Sequence, residues 1–141
     1  MKNKLGILFV ALLSVMVMTS ATKTVGIEFE HVTLAEAKVM AKESGKLIFI
    51  DCYTDWCGPC RRMAKTSFKD EKVGKLFNES FINLKIEMEK NPDGKEVARQ
   101  YKIRAYPTLL MINAEGKLVK QAIGMHSKGD LIQLANNVLK K

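Results

Sequence analysis

The sequence predicts an α/β fold: a mixed central β-sheet with helices on both faces. Three observations predict it. Strand-like and helix-like segments alternate along the chain in the order β-α-β-α-β-α-β-β-α, which lays strands side by side through helical crossovers. Residues 47–50, Leu-Ile-Phe-Ile, form an unbroken apolar run, as in a strand buried on both faces. The last two strands are joined by Asn113-Ala114-Glu115-Gly116, a four-residue hairpin loop that adds an antiparallel edge to an otherwise largely parallel sheet.

Each element has a local reason. Residues 25–29 read as a short first strand. Thr33 opens a helix, because Glu36 three residues later completes a capping box and Gly45 suits the C-terminal stop. The central strand follows and ends in Asp51-Cys52-Tyr53. A helix then starts at Cys57, with Pro59 in its first turn, where a missing N–H costs nothing. Residues 70–78 repeat the helical pattern, with Val73, Leu76 and Phe77 on one face. Residues 81–88 alternate, with Ile82, Leu84, Ile86 and Met88 on one side, which is a strand pattern. Asn91-Pro92-Asp93-Gly94 is a turn, and 95–101 a short helix. Residues 108–112 and 117–123 are the hairpin strands. Ser127 with Asp130 caps a last helix that carries Leu131, Leu134, Ala135 and Val138 on its apolar face.

The chain has 141 residues, 47% hydrophobic and 27% charged, which fits one globular domain and excludes a disordered chain. Its formal net charge is +8. A basic balance is compatible with a nucleic-acid or membrane partner, but no Lys/Arg run exceeds two residues and no aromatic residues interleave them, so a solvated surface is the preferred reading and no nucleic acid is expected. Residues 1–21 have the anatomy of a secretory signal peptide: Lys2 and Lys4, then fourteen residues from Leu5 to Met18 interrupted only by Gly6 and Ser14, then Thr19-Ser20-Ala21. The run is shorter than the roughly 20 residues of a membrane span, although an uncleaved anchor is the alternative. The expected domain is 22–141, exported to the periplasm.

Export changes the meaning of the three cysteines, Cys52, Cys57 and Cys60. Outside the cytosol cysteines usually form structural disulfides. A staple gains most by closing a long loop, and Cys57-Gly58-Pro59-Cys60 closes a minimal one, so this pair suits redox work better than stability. Two intervening residues at a helix start bring the two sulfurs within disulfide reach. Cys57 at the helix N-terminus gains thiolate character from the helix dipole, whereas Cys60, one turn deeper, is expected to be less exposed. The roles follow: Cys57 attacks a disulfide and Cys60 resolves the mixed disulfide. Lowering a thiol pKa from about 8.5 to about 7 raises the thiolate fraction at pH 7 roughly 16-fold and costs roughly 6-fold in nucleophilicity, a net gain of only about 3-fold. The helix end therefore matters most for Cys57 as leaving group and for redox poise. The competing readings are half of a zinc site and a purely structural bond. Only Cys52, His31 and His126 remain as further ligands, none in a paired motif, so no metal and no cofactor are expected.

Asp51 ends the apolar strand six positions before Cys57. Buried there, it would have a raised pKa and could take the proton of Cys60; otherwise it is a solvated strand-end residue. Lys85 alternates with Leu84 and Ile86, which by pattern alone reads as an exposed strand lysine. Trp56 either forms a docking surface beside the cysteines or belongs to the core. Cys52 reads as a small core residue rather than a third redox thiol, and His31 and His126 as surface residues.

Trp56-Cys57-Gly58-Pro59-Cys60 resembles the active-site motif of the thioredoxin family, and the resemblance extends over roughly residues 25–140. It implies a thioredoxin fold. Asp51 falls where the family has its buried acid, and Lys85 where it has a lysine near that acid. Tyr106-Pro107-Thr108 matches the family's cis-proline segment, whose backbone lies against the first cysteine and pairs with substrate. Gly116 matches the hairpin glycine, and Gly124 the glycine bordering the substrate groove. Residues 65–73 lack the proline that kinks the active-site helix of small cytosolic thioredoxins. In this the chain is more similar to the C-terminal domain of the transmembrane reductase DsbD and related exported thioredoxin-like proteins. About three extra residues separate Asn91-Pro92 from Pro107, and Cys52 stands where the family often has an aromatic.

The resulting expectation is a protein disulfide reductase, a monomer, acting on disulfide-containing exported proteins and supplied with electrons by a membrane donor. The alternatives are a disulfide oxidase or isomerase on the same fold, and a non-catalytic polypeptide-binding module that uses the groove near Pro107 and Trp56.

Overall fold

The structure, a computed structural model, describes residues 25–140. The expected signal segment, 1–21, lies outside the described residues. Ten elements follow in order: α1 (Leu34–Ser44), β1 (Leu47–Tyr53), α2 (Gly58–Lys65), a 3₁₀ turn (Ser67–Lys69), α3 (Glu71–Ser80), β2 (Phe81–Glu87), α4 (Gly94–Gln100), β3 (Thr108–Ile112), β4 (Leu118–Ile123) and α5 (Lys128–Leu139).

The helix ends form as their sequences dictate. Thr33 Oγ1 accepts from Glu36 N–H while Glu36 Oε2 accepts from Thr33 N–H, closing the capping box of α1, and Gly45 ends that helix at φ 70°. Ser127 and Asp130 close the same box on α5. Asp70 caps α3 by accepting from Lys72 and Val73 N–H.

The sheet runs in the order β2-β1-β3-β4. Only β1 and β2 are parallel; β1–β3 and β3–β4 are antiparallel. The sheet is therefore mixed but not largely parallel as expected. The chain leaves β2 beside the end of β1 (Tyr53↔Glu87) and, through α4 and the segment after it, enters β3 at that same end (Cys52↔Thr108), so β3 runs antiparallel to β1.

The expected first strand is also absent. The backbone of residues 25–29 turns to helices instead: Ile27 N–H donates to Phe68 O (2.8 Å), Glu28 N–H to Asn78 Oδ1 (2.9 Å), and Asn78 Nδ2 donates to Gly26 O (3.1 Å). Only Glu30 reaches the sheet, in an isolated bridge with Leu84. Close approach makes this possible. A Cβ on Gly74 would lie 2.3 Å from Gly26 O, and Gly26 itself has φ +96°.

Helices cover both faces of the sheet. On one, Ile48, Ile50, Cys52, Leu84 and Leu110 pack with Leu34, Ala37 and Ala41 of α1 and Val97 of α4. On the other, Phe49, Leu109 and Met111 pack with Met63 of α2, Val73 and Phe77 of α3, and Leu131 and Ala135 of α5. Phe49 and Phe77 meet edge to face at 4.8 Å. The apolar faces expected for α3 and α5 are the ones buried, with Leu76 only partly so.

Candidate active site

Strand register assembles the site at one end of the sheet. Cys52 lies beside Thr108, and Thr108 beside Ile123. The loop leaving β1, the segment entering β3 and the chain leaving β4 therefore meet there. They carry Trp56 and Cys57, Tyr106 and Pro107, and Gly124 respectively. Tyr106–Pro107 is a cis peptide bond. Gly124 N–H donates to Pro107 O (2.8 Å), which fixes the β4 end against the proline. Gly124 has φ +91° and Gly116, in the hairpin, φ +82°.

Cys57 is the N-cap of α2, and its sulfur accepts from Cys60 N–H at 3.2 Å. The two cysteines form a disulfide with Cα atoms 5.3 Å apart. The first turn of α2 carries no acidic side chain, and Arg62 and Lys65 sit in its last turn. The helix end therefore presents undiluted partial positive charge to the Cys57 sulfur. The expected difference in exposure is not found: Cys57 is 3% and Cys60 2% exposed. One bond across one helical turn gives both sulfurs the same cover. Cys57 nonetheless lies at the surface layer, since Trp56, Gly58 and Pro59 around it are exposed. The asymmetry between the two sulfurs is one of position on the helix.

Asp51 is 1% exposed, so the solvated strand-end reading does not hold. It lies in register with Lys85 on β2, and Lys85 Nζ approaches its Oδ2 to 3.2 Å. Burial pushes the Asp51 carboxyl up to about 6, and the Lys85 charge pulls the other way. Lys85 is not the exposed strand lysine that the alternation implied. Its side chain is 26% exposed, and its ammonium lies 4.3 Å from the Tyr53 ring centroid and 5.7 Å from those of Phe29 and Phe68. Asp51 alternates with Phe49, so it shares the sheet face that α2 covers, the helix bearing Cys60. Cys52 points to the opposite face, free and fully buried, with its thiol pKa raised by burial and by Asp51. This is the core position expected for it.

Trp56 is 64% exposed and is not part of the core. Its ring meets Tyr106 edge to face at 6.0 Å, and its Nε1 donates to Glu89 Oε1 at 3.1 Å. Ile123 and Met125, on either side of Gly124 in the chain, are exposed apolar residues. His31 is exposed. His126 is half-buried rather than a free surface residue, with Nδ1 2.8 Å from Gly124 O.

Glu87 is the polar residue here that strand patterning hides. It follows Ile86 at the end of β2 and is buried, and its carboxylate accepts from three backbone N–H groups. Asp55 N–H donates to Oε1 (3.1 Å), and Glu89 and Lys90 N–H donate to Oε2 (2.9 and 2.6 Å). Its signal in the sequence is a carboxylate in the last position of a strand, just before a turn; its register partner on β1 is Tyr53, two residues beyond Asp51. Among the described residues no three His, Cys, Asp or Glu side chains lie together in a metal-binding group, and no helix is long and apolar enough to cross a membrane.

Residues 34–139 match the thioredoxin-like domain. The chain belongs to the thioredoxin-like family. A candidate disulphide-isomerase from Bacteroides thetaiotaomicron, solved in solution, is 40% identical, with a TM-score of 0.72 over 82% of this chain and 95% of that one. The thioredoxin H-type of Fagopyrum esculentum is 37% identical over 84 residues, 60% of this chain and 66% of its own length. The thiol:disulfide interchange protein DsbD of Photorhabdus laumondii is 26% identical over 80 residues, 57% of this chain and 14% of DsbD. This chain thus spans just under two thirds of the first curated relative and a small part of the second. Family membership and the joined cysteine pair make this thioredoxin-like domain a thiol–disulfide oxidoreductase.

Proposed function

We propose that this domain reduces disulfides in exported proteins. In its dithiol form the Cys57 thiolate attacks a substrate disulfide, forming a Cys57–substrate bond and expelling one substrate thiolate. Cys60 then gives its proton to Asp51, and its thiolate attacks the Cys57 sulfur, expelling the second substrate thiolate and leaving the Cys57–Cys60 bond. Lys85 sets the proton affinity of Asp51. Trp56, Tyr106, Pro107 and Gly124 receive the substrate peptide. A membrane electron donor returns the pair to the dithiol, since the periplasm is held oxidising; the similarity to DsbD supports a donor of that kind. The expected signal segment supports the location.

The observation that carries this reading is a cysteine pair at the N-terminus of α2, the helix that covers the sheet face on which the Asp51 carboxyl is buried. The test is reduction of a protein disulfide by wild type and by Cys57→Ser. The reading requires that the variant lose turnover entirely; a variant that turns over as wild type does overturns it. A second reading, disulfide isomerase, is favoured by the 40% identical Bacteroides protein. The reduction potential separates them. A value near −270 mV marks a reductase, and one near −180 mV or above marks an isomerase or oxidant, with 30 mV equal to about 1.4 kcal/mol.

A further inference from the structure

We propose that Glu87 is a positioning residue that holds Trp56 in place beside the cysteine pair. The inference rests on the redox reading of that pair and names a residue which acts on it from the next strand. Trp56 is tethered at both ends, and both tethers lead to one carboxylate. At its backbone, the preceding residue, Asp55, donates its N–H to Glu87 Oε1 at 3.1 Å. At its ring, Nε1 donates to Glu89 Oε1 at 3.1 Å, and the N–H of Glu89 is itself held by Glu87 Oε2 at 2.9 Å. A ring of contacts closes from Glu87 through Asp55, Trp56 and Glu89 back to Glu87.

The geometry makes this tether stronger than its alternatives. Hydrogen bonds to a buried charged acceptor are among the stronger ones in a protein. Of the other contacts here, Lys90 with Asp55 is an exposed ion pair, a class that contributes little; Met88 N–H donates to Tyr53 O (2.8 Å) before the loop begins, and Arg61 Nη1 donates to Asp55 O (2.7 Å) from α2, and neither reaches the indole. The Trp56 ring stands against Tyr106, the residue before Pro107. Fixing the indole therefore fixes one wall of the surface that a substrate peptide meets. Because these contacts come from the end of β2, the wall is anchored to the sheet as well as to the loop's own turn, in which Cys57 N–H donates to Thr54 O (3.1 Å).

Glu87→Gln separates this role from a general one. The amide has one acceptor oxygen. It can serve the Glu89 and Lys90 N–H groups but then turns an NH₂ toward Asp55 N–H, donor against donor. The fold keeps its turn and the Trp56 loop loses its anchor. Trp56 is the sole tryptophan, so its emission reports this loop alone. In E87Q, iodide quenching of Trp56 should rise about twofold or more, and amide exchange at Asp55 and Trp56 should accelerate about tenfold. KM for a protein disulfide should rise about threefold or more while kcat stays within about twofold. Lys90→Ala should leave all three readouts as in wild type. E87Q should melt cooperatively, closer to wild type than to Glu87→Ala. The proposal is overturned by an E87Q protein with wild-type quenching and exchange, by K90A moving the readouts as far as E87Q, or by E87Q failing to fold or melting with E87A, which would make the carboxylate a support of the fold alone. If wild type reduces no disulfide, the redox reading falls by itself, and the quenching and exchange measurements still decide the role of Glu87.

Discussion

Lys85 Nζ and Asp51 Oδ2 stand 3.2 Å apart on paired strands in register, one side chain partly exposed and the other sealed. The lysine offsets only part of the desolvation of the carboxyl, whose pKa remains at about 6 against an ordinary 3.8. Asp51 is thus a group that the fold holds at a cost and that exchanges its proton near neutrality.

Stability should carry that cost with a definite sign. The folded-state pKa is raised, so the native protein binds the proton more tightly than the unfolded chain between about pH 4 and pH 6. Stability contributed by this group is present at low pH and is lost as pH rises through that window, by about 3 kcal/mol in all. Asp51→Asn should remove this part of the pH dependence and be more stable than wild type at pH 8. Urea denaturation of both proteins at pH 4 and pH 8 measures it; a variant less stable than wild type at pH 8 contradicts the burial argument.

The same substitution should slow catalysis at one step only. Loss of a positioned proton acceptor costs about 10²-fold or more. In single turnovers Asp51→Asn should form the mixed disulfide at the wild-type rate and release it about 10²-fold more slowly. Equal slowing of both phases would remove Asp51 from the role proposed for it. Lys85→Met deletes the opposing charge, so the pH inflection of the release phase should move above 6.

How much of this was legible beforehand depended on whether a residue's partner was local. The capping boxes of α1 and α5, the hairpin glycine and the Cys57–Cys60 pair are short-range patterns, and all are present in the structure. The family pattern placed Lys85 beside Asp51, against what strand alternation alone implied. Residues 25–29 have strand composition, but their hydrogen-bond partners are Phe68 and Asn78, forty or more positions away. The antiparallel entry of β3 depends on which end of the sheet the chain from α4 returns to, a tertiary property that the short helix read at 95–101 does not reveal. Glu87 is invisible to alternation because its partners are backbone groups: Glu89 and Lys90 N–H in the turn that follows it, and Asp55 N–H, 32 positions away on the loop after β1.

The packing of residues 25–29 yields a further prediction. Gly74 has no room for a methyl group beside Gly26 O. Gly74→Ala should destabilise by about 1–3 kcal/mol through forced displacement, and limited proteolysis should cut the segment before Glu30 first. Unchanged stability would mean that this contact is not held.

Cys57, at the helix end, is the sulfur proposed to meet the substrate. The most direct measurement is reaction of reduced Cys60→Ser with a disulfide-containing protein, followed by peptide mass spectrometry of the adduct. A stable mixed disulfide through Cys57 is expected, with Cys52 unmodified. An adduct on Cys52, or no adduct while wild type remains an active reductase, would contradict it.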